Sequence, residues 1–271
     1  MPPINTRLKY CFLIFLIAVL PGALLAKNPP IETREIAYKA GDKTMTGYLA
    51  MPKAAKKGTP AVLVVHEWWG QTDYPRKRAR MLAELGYIAM AVDMYGDRQI
   101  TGHPKQAAAF RTEVFSSAKN VRNRFDAAME ALLKNSPAKA GKIVAIGYCF
   151  GGSVVLEMAR QGVDIAGVAS FHGGLDTPTK AVKSNVKAKV LVLHGAADPM
   201  TQPEDIQAFH KEMKSAGVDY RFIAYEGAKH GFTNPDADFY AKKLNFKALG
   251  YQEKADLASW SELGSFIKGL F

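Results

Sequence analysis

Cysteine is scarce in this chain: 271 residues contain two, Cys11 and Cys149. Cys11 lies in the apolar N-terminal stretch, so Cys149 stands alone in the remainder. A lone thiol makes no internal disulfide, and a hydrophobic core has to hold the fold. There is no Cys-x-x-Cys and no resolving cysteine, which argues against thiol–disulfide exchange. No His, Cys and carboxylate spacing marks a metal centre, and nothing in the chain calls for a cofactor. An Arg-rich strip interleaved with aromatics is also missing. The formal net charge of +11 is mostly scattered lysine, which reads as solvated surface rather than a nucleic-acid groove. Beyond the first 26 residues no apolar run approaches the length of a membrane span. Repeats, low-complexity tracts and domain boundaries are absent too, so one domain is expected.

Residues 1–26 read as an export signal. Arg7 and Lys9 supply a positive start, Phe12 to Leu20 an apolar centre, and Pro21 to Ala26 a region for cleavage. The expected location is periplasmic or secreted, with no stable membrane insertion once the signal is cut. Leu24 sits where a small residue is preferred, which leaves an uncleaved anchor as the other reading. Cys11 lacks the small-residue surroundings of a lipid-modified cysteine. Residues 27–271 carry a net charge of +9, and a domain of that length can bury one sizeable core.

Strand-like and helix-like segments alternate along that domain, a pattern that builds a mainly parallel sheet covered by helices on both faces. Residues 33–40 and 44–50 flank Gly41-Asp42, a hairpin signal that places an antiparallel pair at one edge. Ala61 to Val65 is a continuous apolar run suited to a central strand. Further strands are expected at 88–92, 142–147, 166–171, 189–194 and 219–225. Helices are expected at 75–85, 105–134, 151–161, 203–215, 236–243 and 255–268.

The most informative segment is Gly147-Tyr148-Cys149-Phe150-Gly151-Gly152. It joins an apolar β-branched run to a helix-forming stretch, and a nucleophile on such a sharp turn needs glycines around it. A buried structural cysteine beside a tight turn is the alternative. A cysteine nucleophile requires a base, and the base an orienting carboxylate. Of six histidines, His66 and His194 end buried strands and read as structural. His103 and His210 lie in polar, exposed contexts. His172 follows the strand at 166–171 beside Gly173-Gly174, at the rim of the site. His230 differs, standing in the small-residue loop Gly227-Ala228-Lys229-His230-Gly231-Phe232 after the last strand. Asp198, in Gly195-Ala196-Ala197-Asp198-Pro199, is the acid, with a turn or helix-start role as its alternative. Loops at the carboxyl ends of parallel strands open on one side. Cys149, Asp198 and His230 therefore converge, in the order that marks an α/β-hydrolase fold.

His66-Glu67-Trp68-Trp69-Gly70 follows the central strand, where this architecture places its second oxyanion donor. The backbone N–H groups of Trp68 and Phe150 are the candidates. Glu67 is a carboxylate beside an aromatic pair, with a solvated loop glutamate as the alternative.

With these motifs and Asp93-Met94-Tyr95-Gly96 and Lys229-His230-Gly231-Phe232, the chain resembles the dienelactone hydrolase family over roughly residues 33–270. The resemblance implies a Cys149–His230–Asp198 triad, with Glu67 contacting the resting thiol and taking its proton when substrate displaces the carboxylate. A neutral resting thiol is a poor target for oxidants. The family holds its substrate carboxylate with two arginines. Arg98 corresponds to one, and Asn234 replaces the other, which removes a bidentate clamp. Arg98, Asn234 and His172 are thus the expected substrate-binding residues, and segments 96–110 and 172–187 the expected determinants of specificity. The implied activity is cleavage of a small-molecule ester or lactone through a thioester, without metal or cofactor. A non-catalytic envelope protein that keeps the fold is the alternative.

Overall fold

The structure, a computed structural model, describes residues 28–271. The expected export signal, with Cys11, lies outside the described residues.

Eight strands form one sheet: β1 (Ile31–Ala40), β2 (Lys43–Pro52), β3 (Thr59–Val65), β4 (Ile88–Val92), β5 (Ala138–Tyr148), β6 (Gly167–Phe171), β7 (Lys189–Gly195) and β8 (Tyr220–Tyr225). Their spatial order is β1-β2-β4-β3-β5-β6-β7-β8. β1 and β2 form the edge hairpin across Gly41, whose φ of +60° suits the turn. β2 then pairs antiparallel with β4, and every later pairing is parallel.

Seven helices accompany the strands: α1 (Asp73–Glu84), α2 (Pro104–Val114), α3 (Ala118–Lys134), α4 (Phe150–Arg160), α5 (Pro203–Ser215), α6 (Ala237–Lys243) and α7 (Glu253–Lys268). Strand alternation decides which helices cover which face. Ala61, Leu63 and Val65 pack with Val121, Phe125, Val154, Met158 and Phe209, from α3, α4 and α5. Val62 and Val64 pack on the opposite face with Leu82 from α1 and with Leu263 and Ile267 from α7. This is the α/β-hydrolase architecture. Among the described residues no helix is long and apolar enough to cross a membrane.

One expected element is divided. The helix anticipated over 105–134 is two, α2 and α3, broken at Phe115–Ser117. Ser117 Oγ accepts from Asn120 N at 3.1 Å and starts a new helix. The apolar spacing through Val114, Val121, Phe125 and Ala128 runs across the break, so periodicity alone hides it. His210 is also not exposed: it is half-buried on α5, with Nδ1 3.0 Å from Tyr220 Oη and its ring against Phe222.

Candidate active site

The parallel strands β3, β5, β7 and β8 deliver their following loops to one end of the sheet. Cys149 stands between β5 and α4 with φ +53° and ψ −114°, a conformation that L-residues rarely adopt. The glycines around it are required by close approach. A Cβ on Gly147 would lie 2.0 Å from Gly151 O, and one on Gly151 would lie 2.3 Å from Val65 O. The thiol is half-buried and lines a cavity of about 340 Å³ together with Trp68, Phe150 and His230.

His230 follows β8 and is buried. Its Nδ1 lies 2.8 Å from Asp198 Oδ2, while Nε2 has no protein hydrogen-bond partner among the described residues. Asp198 is fixed in turn, because its Oδ1 accepts from Met200 N at 2.9 Å. Burial favours the neutral imidazole of His230. The neighbouring Cys149 sulfur and the hydrogen bond that Nδ1 donates to Asp198 outweigh it and push the pKa up to about 10. The three side chains expected to converge are therefore at one place.

The two candidate oxyanion donors border the same cavity. Neither the Trp68 nor the Phe150 amide has a protein acceptor among the described residues. Phe150 is the first residue of α4, where an N–H is unpaired by construction and the helix dipole favours negative charge. The Trp68 peptide is braced by Tyr95, whose hydroxyl donates to Trp68 O at 3.0 Å. Tyr95 is held by Asp93, whose Oδ1 accepts from the amides of Tyr95 and Gly96 at 3.0 and 2.8 Å. The motif at 93–96 thus supports the loop after β3. His66 serves the same loop. Its Nε2 accepts from Met94 N at 3.2 Å, so the ring proton lies on Nδ1 and donates to Glu67 O.

Glu67 is buried. Loss of water raises its pKa, opposed by the Asn234 hydrogen bond and the positive charges of His230 and Arg78, and the net value is about 7. Its carboxylate does not meet the thiol. Asn234 Nδ2 donates to Glu67 Oε2 at 2.6 Å, and no hydrogen bond joins Glu67 to Cys149 among the described residues.

All three expected substrate-binding residues are placed elsewhere. Arg98 adopts φ +57° and is 62% exposed, its guanidinium 2.6 Å from Glu35 on β1, away from the cavity beside Cys149. Asn234 is buried and engaged with Glu67. His172 is 1% exposed and sits beneath the site rather than at its rim.

The cavity wall comes instead from α2, through Ala108, Arg111 and Thr112, with Met200 after Asp198 and Phe246 and Leu249 after α6 completing it. Only Gly174 represents the 172–187 segment. Arg111 is the arginine on that wall and was not legible as such, since no local motif marks it. Among the described residues no cluster of three or more His, Cys, Asp or Glu side chains is arranged to hold a metal.

Fold and site together define an α/β-hydrolase with a strained strand-to-helix turn at Cys149. The profile of the dienelactone hydrolase family matches residues 45–271, and the chain belongs to that family. It is thereby a carboxylic ester hydrolase, of a family that acts on small-molecule esters and lactones. A dienelactone hydrolase-like promiscuous phosphotriesterase from metagenomic libraries superposes with a TM-score of 0.81 at 30% identity, over 89% of this chain and 99% of the other. The structure called m3DLH gives 0.82 at 32% identity with the same coverage. A Saccharolobus solfataricus protein, provisionally named carboxymethylenebutenolidase, is 25% identical over 87% of this chain and 98% of its own length.

Proposed function

We propose that the protein cleaves small-molecule esters or lactones by acyl transfer to the sulfur of Cys149. The thiolate attacks the substrate carbonyl carbon, and the carbonyl electrons move onto oxygen. The N–H groups of Trp68 and Phe150 hold that oxyanion. As the tetrahedral species collapses, the bond to the alkoxide breaks and His230 gives it a proton from Nε2, leaving a thioester on Cys149. His230, now neutral, takes a proton from water. The resulting hydroxide attacks the thioester, the acid leaves, and the thiolate returns beside the imidazolium. Asp198 keeps the His230 tautomer with its proton on Nδ1 and steadies the imidazolium. Glu67, with a pKa near neutral, is the acceptor for the proton of a resting thiol, its Oε2 being held by Asn234. The export signal proposed for residues 1–26 places this activity outside the cytoplasm.

The observation that carries this reading is His230 itself. One ring nitrogen is bonded to a buried aspartate, and the other, without a hydrogen-bond partner among the described residues, lies beside a thiol on a strained turn. The test is hydrolysis of activated neutral esters by residues 27–271. Cys149→Ala should lower kcat by about 10³-fold or more, and a variant that keeps the wild-type rate would overturn the mechanism.

A further inference from the structure

We infer that His172 is a positioning residue for the reaction proposed above: a single neutral imidazole ties the amide of the nucleophile to the loop that carries the general base, and so sets the separation of Cys149 and His230. This inference rests on that reading of the site.

The connection is direct at both ends. Cys149 N–H is shared between Phe171 O at 3.0 Å, a continuation of the β5–β6 ladder, and His172 Nδ1 at 3.1 Å. Since Nδ1 faces a donor it carries a lone pair, and the ring proton must lie on Nε2. His172 Nε2 lies 2.9 Å from Thr233 Oγ1, so it donates there. Thr233 stands three residues after His230 in the same loop. The other side of Thr233 is held by α1. Tyr74 Oη donates to Thr233 Oγ1 at 2.7 Å, and Arg78 Nη2 donates to Thr233 O at 2.7 Å while its guanidinium pairs with Asp256 of α7. The His172 ring also meets the His230 ring edge-on, with centroids 5.1 Å apart.

His172 does no chemistry on substrate, because it is 1% exposed and does not line the cavity. A backbone φ of +40° at a non-glycine residue is a strained arrangement, consistent with a side chain that must reach back under the elbow. Its neutrality has clear causes: burial strips water from the imidazolium, and the nearby charges of His230 and Arg78 oppose a further cation. Without this bridge the elbow and the histidine loop remain folded on their own strands, but their mutual distance is free to relax. Displacements of about 1 Å between reacting groups cost as much as 10²-fold in rate.

The test uses Thr233→Val, which removes one hydroxyl at nearly constant volume, along with His172→Phe, His172→Gln and the Thr233→Val/His172→Phe double variant. Steady-state kinetics on a neutral activated ester are measured together with alkylation of Cys149 by iodoacetamide. Thr233→Val should lower kcat about tenfold and slow alkylation, with KM and cavity occupancy unchanged. His172→Phe should act in the same direction, the double variant should cost no more than the larger single loss, and His172→Gln should recover part of kcat. The inference is overturned if Thr233→Val has wild-type kcat, if the loss falls on KM, or if the single losses multiply. Cys149→Ala runs in parallel. Turnover surviving there would sink the catalytic reading itself, whereas an essential Cys149 with wild-type Thr233→Val removes only the bridge.

Discussion

Asn234 Nδ2 donates to Glu67 Oε2 at 2.6 Å, joining residues 167 positions apart in the chain. A neutral amide satisfies one carboxylate oxygen but brings no charge, so burial prevails and Glu67 ionises near pH 7 rather than at its ordinary value of 4.5.

The consequence for stability has a definite sign. Between pH 4.5 and about 7 the folded chain keeps the Glu67 proton while the unfolded chain has lost it. This contribution is therefore full below pH 4.5 and is lost as pH rises through the window. Glu67→Gln, which cannot ionise, should match wild type near pH 4.5 and be more stable at pH 8, by up to roughly 3 kcal/mol. Urea unfolding at the two pH values checks this, and an equal difference at both would contradict it.

Asp198→Asn should leave the fold intact, reverse the tautomer of His230 and lower its pKa from about 10. We expect kcat to fall by about 10³-fold or more. Iodoacetamide alkylation at pH 7 should also slow, because an imidazolium no longer stabilises the thiolate. A variant alkylated at the wild-type rate would show that Asp198 does not support the pair.

The cavity wall predicts a specificity split. Arg111 on α2 faces the cavity, whereas Arg98 is paired with Glu35 outside it. Arg111→Gln should raise KM for esters bearing a carboxylate by about tenfold and leave neutral esters within about twofold, as expected when one charge-assisted bond is lost. Arg98→Ala should change neither by more than about twofold. The opposite ranking would restore Arg98 as the substrate arginine.

Much of this was legible in the sequence because local chemistry decides it. The Ala61–Val65 run, the hairpin glycine and the alternation of strand and helix are short-range signals, and the order of Cys149, Asp198 and His230 follows from loop placement at one end of a parallel sheet. What escaped depends on long-range packing. Arg98 is turned away by left-handed backbone at Asp97 and Arg98, and no pattern in neighbouring residues announces that turn's direction. Arg111 reaches the cavity because α2, remote from Cys149 in sequence, packs along its lining. Asn234 and His172 were expected to meet substrate, yet one faces Glu67 and the other Thr233 and the Cys149 amide, partners that only the assembled sheet brings near.

The most direct measurement is the covalent state of Cys149 during turnover. Residues 27–271 are mixed with an activated acetate ester, quenched in acid early in the reaction and examined by intact and peptide mass spectrometry. The account predicts one acetyl group on the peptide containing Cys149, released by neutral hydroxylamine as a thioester should be and absent from Cys149→Ala. Turnover at full rate with no acyl group on that sulfur would contradict it.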